Sequence, residues 1–532
     1  MTISNFFYPL WAVTETSEIA EDLQRFLIVL SVSLTIATLS RLIPWLQKIP
    51  YTIMLVIVGL GLAALDIKIV ELSPELILEI FLPPLLFEAA WNVKWRSLRT
   101  YLLPVLLLAM IGVIISLIGI TAIIQQFNNL SIPIALLIAA CLSATDPVSV
   151  LALFKQLGAS EKLMLIMEGE SLLNDGVAVV AFMLLVGLPS GQTELGVAST
   201  IIDFSKFVGV GVAVGCLIGF GISYLTQRFD YPLVEQSLTL VTAYGSYLLA
   251  EELGGSGVIG VVATGIILGN FGSRIGMSPR TRLFVTEFWE FVAFFVNSII
   301  FLLIGDQVSL GSLRENLPII LVAIVAMVLT RAISVYGLIN ISNLFTNDRI
   351  DVREQTVIWW GGLRGSVAIA LVLSLPSGLP EKPMMIDVIF GVTLFTLLVQ
   401  GLTMSGLLNK LNLISDQSLK QEYSELVARR VALQNIKNYL EKLEVLPTAD
   451  PEYYQKEFSL VTGQLTSIGN KMEKMLKEYP QLREFTRETV REKLLDIEAD
   501  TYANLISIGA LNKNLSPYLE EVLIEAVEDE NY

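Results

Sequence analysis

About thirteen apolar stretches run through the first 410 residues, and they restrict the fold more than any other feature of the chain. By hydropathy they fall near 25–44, 51–65, 76–91, 103–124, 132–154, 162–188, 203–227, 234–252, 257–271, 285–307, 316–342, 355–376 and 384–408. In hydrocarbon each backbone polar group must be satisfied within the structure, so runs of this length are expected to span as helices. The predicted class is an all-α polytopic membrane protein with a helical tail after the last span. Hydrophobic residues make up 54% of the chain, more than a soluble domain of this size carries.

An odd number of spans places the termini on opposite faces. Loops on the C-terminal side hold nearly three times as many Lys and Arg as the opposite loops, whose basic residues are Arg25, Lys68, Lys206, Arg314 and Lys382. This bias predicts a cytoplasmic C-terminus and an outer N-terminus. Three regions are expected: an extracytoplasmic segment 1–24, a transmembrane domain 25–410 and a cytoplasmic helical tail 411–532. The start lacks a basic stretch and a small-residue cleavage site, so no cleaved signal peptide is expected. In the tail, Leu426, Leu433, Ile436, Leu440 and Leu443 recur at helical spacing. The run is short, which predicts a helix hairpin rather than a long coiled coil. The end, Glu520–Tyr532, is acidic.

Within the sixth span lies Gly169-Glu170-Ser171-Leu172-Leu173-Asn174-Asp175-Gly176. A charged side chain at mid-bilayer costs roughly 2.5–3.5 kcal/mol on insertion scales, so two acids here need a purpose. At 100° per residue, Glu170, Asn174, Ser171 and Asp175 share one side of the helix and can face a common point. Carboxylate, hydroxyl and backbone oxygens are hard ligands that suit a proton or a small hard cation. A purely adhesive polar cluster is the plainer alternative, but membrane helices are held together by Ser, Thr or Asn rather than by acids.

Other spans are interrupted. The third contains Leu82-Pro83-Pro84, whose prolines are expected to break the helix, followed by Glu88 near its inner end. Glu88 reads either as a snorkelling interfacial acid or as a ligand facing Asp175. The fifth contains Ser143-Ala144-Thr145-Asp146-Pro147, an acid and a proline at mid-span. The twelfth contains Gly361-Gly362-Leu363-Arg364-Gly365, and the eleventh Arg331; both arginines need partners in apolar surroundings. Residues 25–188 and 234–408 hold six spans each, with broken helices 5 and 12 in corresponding places, which points to two inverted six-helix repeats with a site at their interface. Phe294-Phe295-Val296-Asn297-Ser298 reads as bundle-facing packing.

Several classes are excluded. Asp and Glu outnumber Lys and Arg on both sides of residue 416, so nucleic acid is not an expected partner. Cys141 and Cys216 lie in apolar runs and read as packing residues. There is no histidine, so a proton carrier here must be another group.

Ala144-Thr145-Asp146-Pro147, Gly169 to Asp175 and Gly361 to Gly365, in this order, resemble the monovalent cation:proton antiporters. The match is closest to the sodium/proton exchanger branch and its bacterial NhaP-type members, and it covers residues 25–410. The resemblance implies a thirteen-span homodimer with a dimerisation domain and a mobile six-helix core in which two unwound helices cross. It implies that Asp175 is the ion- and proton-binding carboxylate, with Asn174 beside it. Ser171, Thr145 and Glu88 would complete a Na⁺ site with Asp175. Asp146 and Arg331 would stabilise the helix crossing, and Glu170 would pair with Arg364. Electrogenic relatives carry two aspartates where this chain has Asn174-Asp175, so the resemblance implies an electroneutral Na⁺/H⁺ antiporter. That is a secondary active transporter and not an enzyme. It would work without a cofactor in the lipid of a bacterial inner membrane and serve pH homeostasis and salt tolerance.

Rival readings are a K⁺/H⁺ antiporter, an ion channel and an intramembrane aspartyl protease using Asp146 and Asp175, and Li⁺ stands beside K⁺ as an alternative cargo. A channel would need a re-entrant filter repeat, which is missing. The protease lacks the Gly-x-Gly-Asp setting.

Overall fold

The computed structural model describes residues 18–479 apart from 44–45, 47–48, 65–72, 129, 190–195, 229–230, 274–275, 308–309, 347, 377, 414–416 and 444–450, and scattered positions from 482 to 505. Most of the segment 1–24, the loop residues Lys48, Lys68 and Arg274, and the end Glu520–Tyr532 lie outside the described residues. The chain divides into two compact units, 1–413 and 414–532.

Among the described residues both units are helical. The first opens with α1 (Glu18–Leu42), α2 (Tyr51–Ala64), α3 (Leu82–Asn92), α4 (Trp95–Thr100), α5 (Leu102–Leu106) and α6 (Gly112–Asn128). It continues with α7 (Ile132–Cys141), α8 (Val148–Leu157), α9 (Glu161–Leu185), α10 (Val197–Thr226), α11 (Pro232–Glu252) and α12 (Gly257–Ile267). Next come α13 (Pro279–Asp306), α14 (Leu310–Glu315), α15 (Leu317–Ser342), α16 (Val352–Trp360), α17 (Ser366–Leu373), α18 (Lys382–Phe395) and α19 (Leu402–Leu411). Taken singly, five helical stretches among the described residues are long and apolar enough to cross a membrane: 102–128, 199–226, 280–306, 317–342 and 382–411. The other apolar runs form helices that are shorter, interrupted or, as in the 25-residue α9 with Glu168, Glu170 and Asp175, more highly charged.

Two packing groups emerge in this unit. In one, α13 packs on α2, α3 and α11, and α12 packs on α3, α10 and α11. We call it the scaffold. In the other, α6 packs on α7 and α15, α9 on α5 and α7, and α18 on α15 and α17. We call it the core. The scaffold is close-fitted: a Cβ at Gly59 would strike the Leu302 carbonyl, and one at Gly305 the Val56 carbonyl, so α2 and α13 meet backbone to backbone. Bulkier residues there would push the helices apart.

Local sequence explains several element ends. Ser160 caps α9, its hydroxyl accepting from Leu163 N at 3.3 Å. Asp351 and Glu354 form a capping box on α16. Gly158, at φ 69°, ends α8 in the left-handed conformation. The paired prolines behave differently from expectation. Helix continues through them because a wide π turn, Leu76–Phe81, precedes α3 and places Pro83 and Pro84 near its start, where a missing N–H costs least. The Ile80 carbonyl, which an N–H at position 84 would have taken, accepts from the Tyr244 hydroxyl at 2.8 Å.

The second unit pairs α20 (Gln417–Leu443) with α21 (Pro451–Glu478) as an antiparallel hairpin. Tyr423 and Leu426 near the start of α20 meet Met472 and Met475 near the end of α21, and Lys471 bonds Glu422 at 2.7 Å.

Candidate functional site

The chain between α7 and α8 leaves the helix at Leu142–Pro147, and the chain between α16 and α17 does so at Gly361–Gly365. Breaking a helix in apolar surroundings frees carbonyls at one end and N–H groups at the other, and both must be met. Here the two breaks serve each other. The Asp146 N–H donates to Leu363 O at 2.8 Å. Arg364 Nη1 donates to Ala144 O at 2.9 Å and Ser143 O at 3.2 Å, placing a cation on the negative end of α7. Asp146 Oδ1 accepts from Val148 N at 3.0 Å, placing an anion at the positive start of α8. Gly365 is required by this crossing, since a Cβ there would collide with the Asp146 carboxylate.

The α9 cluster then fastens to the first break. Ser171 Oγ donates to Thr145 O. Asn174 Nδ2 donates to Thr145 Oγ1 at 2.6 Å, and its Oδ1 accepts from Thr145 N at 3.2 Å. Thus the residue before Asp146 is held to α9 by three bonds. Asp175 follows one position on, 8% exposed, and its Oδ1 has no hydrogen-bond partner among the described residues.

The arginine pairing differs from expectation. Glu170 meets Arg331, not Arg364: Nη1 to Oε1 is 2.8 Å and Nη2 to Oε2 is 3.0 Å. Arg331 also donates to Ile358 O at 3.1 Å and Trp359 O at 3.3 Å, the carbonyl end of α16. Asp146 therefore does not take Arg331; its carboxylate serves the start of α8. The physical reason is shared by both arginines. Each guanidinium sits on the C-terminal carbonyls of one half-helix, and only Arg331 also reaches Glu170 with a two-pronged fork.

A cavity of about 620 Å³ adjoins Asp175. Thr145, Asp146 and Ser171 share its core wall. Glu88 stands on the scaffold wall, its Oε1 accepting from Asn92 Nδ2 at 2.6 Å. The structure thus brings Asp175, Ser171, Thr145 and Glu88 to one cavity, with Asn174 behind Thr145. Sequence reasoning missed Lys155, Glu168 and Glu290, which also line it. Glu168 and Glu290 carried a usable signal, since each is an acid inside an apolar span. Among the described residues no group of three or more Cys, Asp or Glu has the spacing of a metal-ion site. What the site offers is one buried carboxylate oxygen beside hydroxyls, at a cavity lined by both polar and apolar side chains. It can take a proton or a small cation.

Comparison with known proteins gives a consistent family. The pattern described as "Sodium/hydrogen exchanger, transmembrane" matches residues 29–410. The Na(+)/H(+) antiporter ApNhaP of Aphanothece halophytica is 60% identical over 506 residues, which cover 95% of this chain and 97% of that protein. The low-affinity Na(+)/H(+) antiporter NhaS1 of Synechocystis is 57% identical over 512 residues, covering 96% and 97%. Among solved structures, the sodium proton antiporter MjNhaP1 of Methanocaldococcus jannaschii shares the fold with a TM-score of 0.60 at 22% identity, covering 74% of this chain and 99% of that one.

Proposed function

The chain belongs to the sodium/hydrogen exchanger family, and on that premise we propose that it is a transporter exchanging Na⁺ for H⁺ without net charge movement at Asp175. The observation that carries this reading is the unpartnered Asp175 Oδ1, buried at the cavity and flanked by the tethered Thr145. A bare carboxylate away from water is costly, so it holds either a proton or a cation. Ser171, Thr145 and Glu88 supply the remaining oxygens for Na⁺. Loaded in either way the site is neutral and the core moves past the scaffold; the bare anion resists the crossing. Exchange is obligatory because only loaded states move. Relatives at 60% and 57% identity are described as Na⁺/H⁺ antiporters, which supports Na⁺ over K⁺ as the cargo.

The wider architecture follows the same reading. Thirteen spans form two inverted six-helix repeats, each holding one broken helix, joined by a linker span, with the C-terminal tail on the cytoplasmic side of a bacterial cell membrane and the N-terminus outside. The scaffold group is the dimerising part of a homodimer. Glu170–Arg331, Asp146 and Arg364 hold the crossing together and do not touch the cargo.

The test is Asp175→Asn, reconstituted in vesicles carrying a pH-sensitive dye. An amide cannot alternate between proton and cation, so Na⁺-driven dequenching disappears while the protein stays folded. Retained exchange in that variant ends the proposal.

A further inference from the structure

Asn297 has no role in the site described above, yet its placement is that of a ligand. Glu290, Ala293, Phe294 and Asn297 recur at i, i+3, i+4 and i+7 along α13 and form one stripe of the cavity wall. Asn297 is 7% exposed, its side chain makes no hydrogen bond with another described residue, and its amide is not sealed in but keeps accessible surface at the cavity. Buried amides nearly always find partners, because an unmet carbonyl or NH₂ group is costly. At this cavity the partner of such an amide is whatever enters.

We propose that Asn297 is a scaffold-side ligand for the transported cation, used while the cavity stands open and released when the core moves. This rests on the reading of Na⁺/H⁺ exchange at Asp175. Three features support it. The amide oxygen is a hard neutral donor of the kind that suits a small alkali cation, directly or through a water. Being neutral, it adds no further charge to a scaffold wall that already carries Glu88 and Glu290, so it contributes an oxygen without tightening the hold on a departing cation. Its helix is also fixed: α13 meets α2 backbone to backbone at Gly305, and Ser33 Oγ donates to Ser298 O at 3.1 Å. Asn297 therefore stays with the scaffold while Thr145 and Asp175 travel with the core.

The experiment measures the apparent KM for Na⁺ from each membrane face separately, in vesicles of uniform orientation, for Asn297→Leu and Asn297→Asp. For the leucine variant, KM on the face where the cavity opens rises about three- to ten-fold, the range a single neutral polar contact supports. KM on the opposite face and the maximal rate stay near the parent values. The aspartate variant, nearly identical in shape, binds Na⁺ more tightly from the cavity face and turns over more slowly. It keeps the test alive should the leucine variant fail to fold. Equal shifts on both faces, a loss of rate at constant KM, or unchanged KM in both variants overturns the proposal. Asp175→Asn in the same vesicles separates the two layers: exchange surviving there defeats the antiport reading itself, whatever Asn297 does.

Discussion

Glu170 on α9 and Arg331 on α15 grip each other through two hydrogen bonds, 2.8 Å and 3.0 Å long, with both residues buried. Removing one partner of such a pair strands a buried charge and typically costs about 3–5 kcal/mol. Arg331→Ala is therefore expected to lower the melting temperature sharply, and Glu170→Gln added to it to restore part of the loss. Thermal unfolding in detergent reads this directly. Additive losses in the double variant would show that the two side chains act independently.

The crossing of the two breaks depends on Gly365 having no side chain. Gly365→Ala pushes a methyl into the Asp146 carboxylate, which caps α8 through Val148. Overpacking of this kind costs about 1–3 kcal/mol. The expected result is reduced stability together with a several-fold lower exchange rate. A variant with parent-like stability and rate would mean that the crossing has slack.

A clasp outside the spans has a defined pH dependence. Lys162 Nζ, at the start of α9, bonds Asp348 Oδ1 at 2.9 Å and Arg349 O at 2.8 Å, and the Tyr101 hydroxyl donates to Asp348 Oδ2. Burial pushes the Asp348 carboxyl upward, but the hydrogen bonds from Lys162 and Tyr101 and the Lys162 charge outweigh it and hold it below its ordinary value of 3.8. A carboxyl depressed by folding stabilises the protein above its unfolded pKa, and that contribution is lost as pH falls through the folded value. Asp348→Asn should thus lower the melting temperature at pH 7, with the difference from the parent closing below about pH 3.8. A difference that grows on acidification has the wrong sign for this clasp.

Electroneutral exchange makes a prediction about voltage. On the proposal that one unit charge replaces another at Asp175, clamping the membrane potential with valinomycin and K⁺ should leave the rate of Na⁺/H⁺ exchange unchanged. A several-fold response to potential would require a second charge to move.

Much of the site was legible because its residues are chemically out of place. Glu170, Asp175, Asp146, Arg331 and Arg364 are charges inside apolar spans; Pro147 beside Asp146 and the glycines around Arg364 marked the breaks, and the crossing followed from the family resemblance. Which guanidinium meets Glu170 was not legible. Both arginines end near half-helix carbonyls, and the choice is made by packing between α9 and α15, far apart in sequence. The prolines of α3 misled because a π turn absorbs the misfit, and no residue pattern announces that turn. Asn297 reads as packing because polarity within a span shows that a residue faces the bundle, not that it faces a cavity.

The central claim is that one carboxylate serves both ions, and competition tests it most directly. The measurement is exchange rate against Na⁺ concentration at several pH values, in proteoliposomes with equal pH on both faces. Acidification protonates more Asp175, so the apparent KM for Na⁺ should rise in proportion to proton concentration once the protonated form dominates. Saturating Na⁺ should restore nearly the same maximal rate, and the curve should be clearest after truncation near Asp416, which removes the tail carboxylates. With no histidine in the chain, no imidazole can add a separate step near pH 6.5. If acidification instead lowers the maximal rate while the apparent KM stays fixed, protons act at a second site and the single-carboxylate account is contradicted.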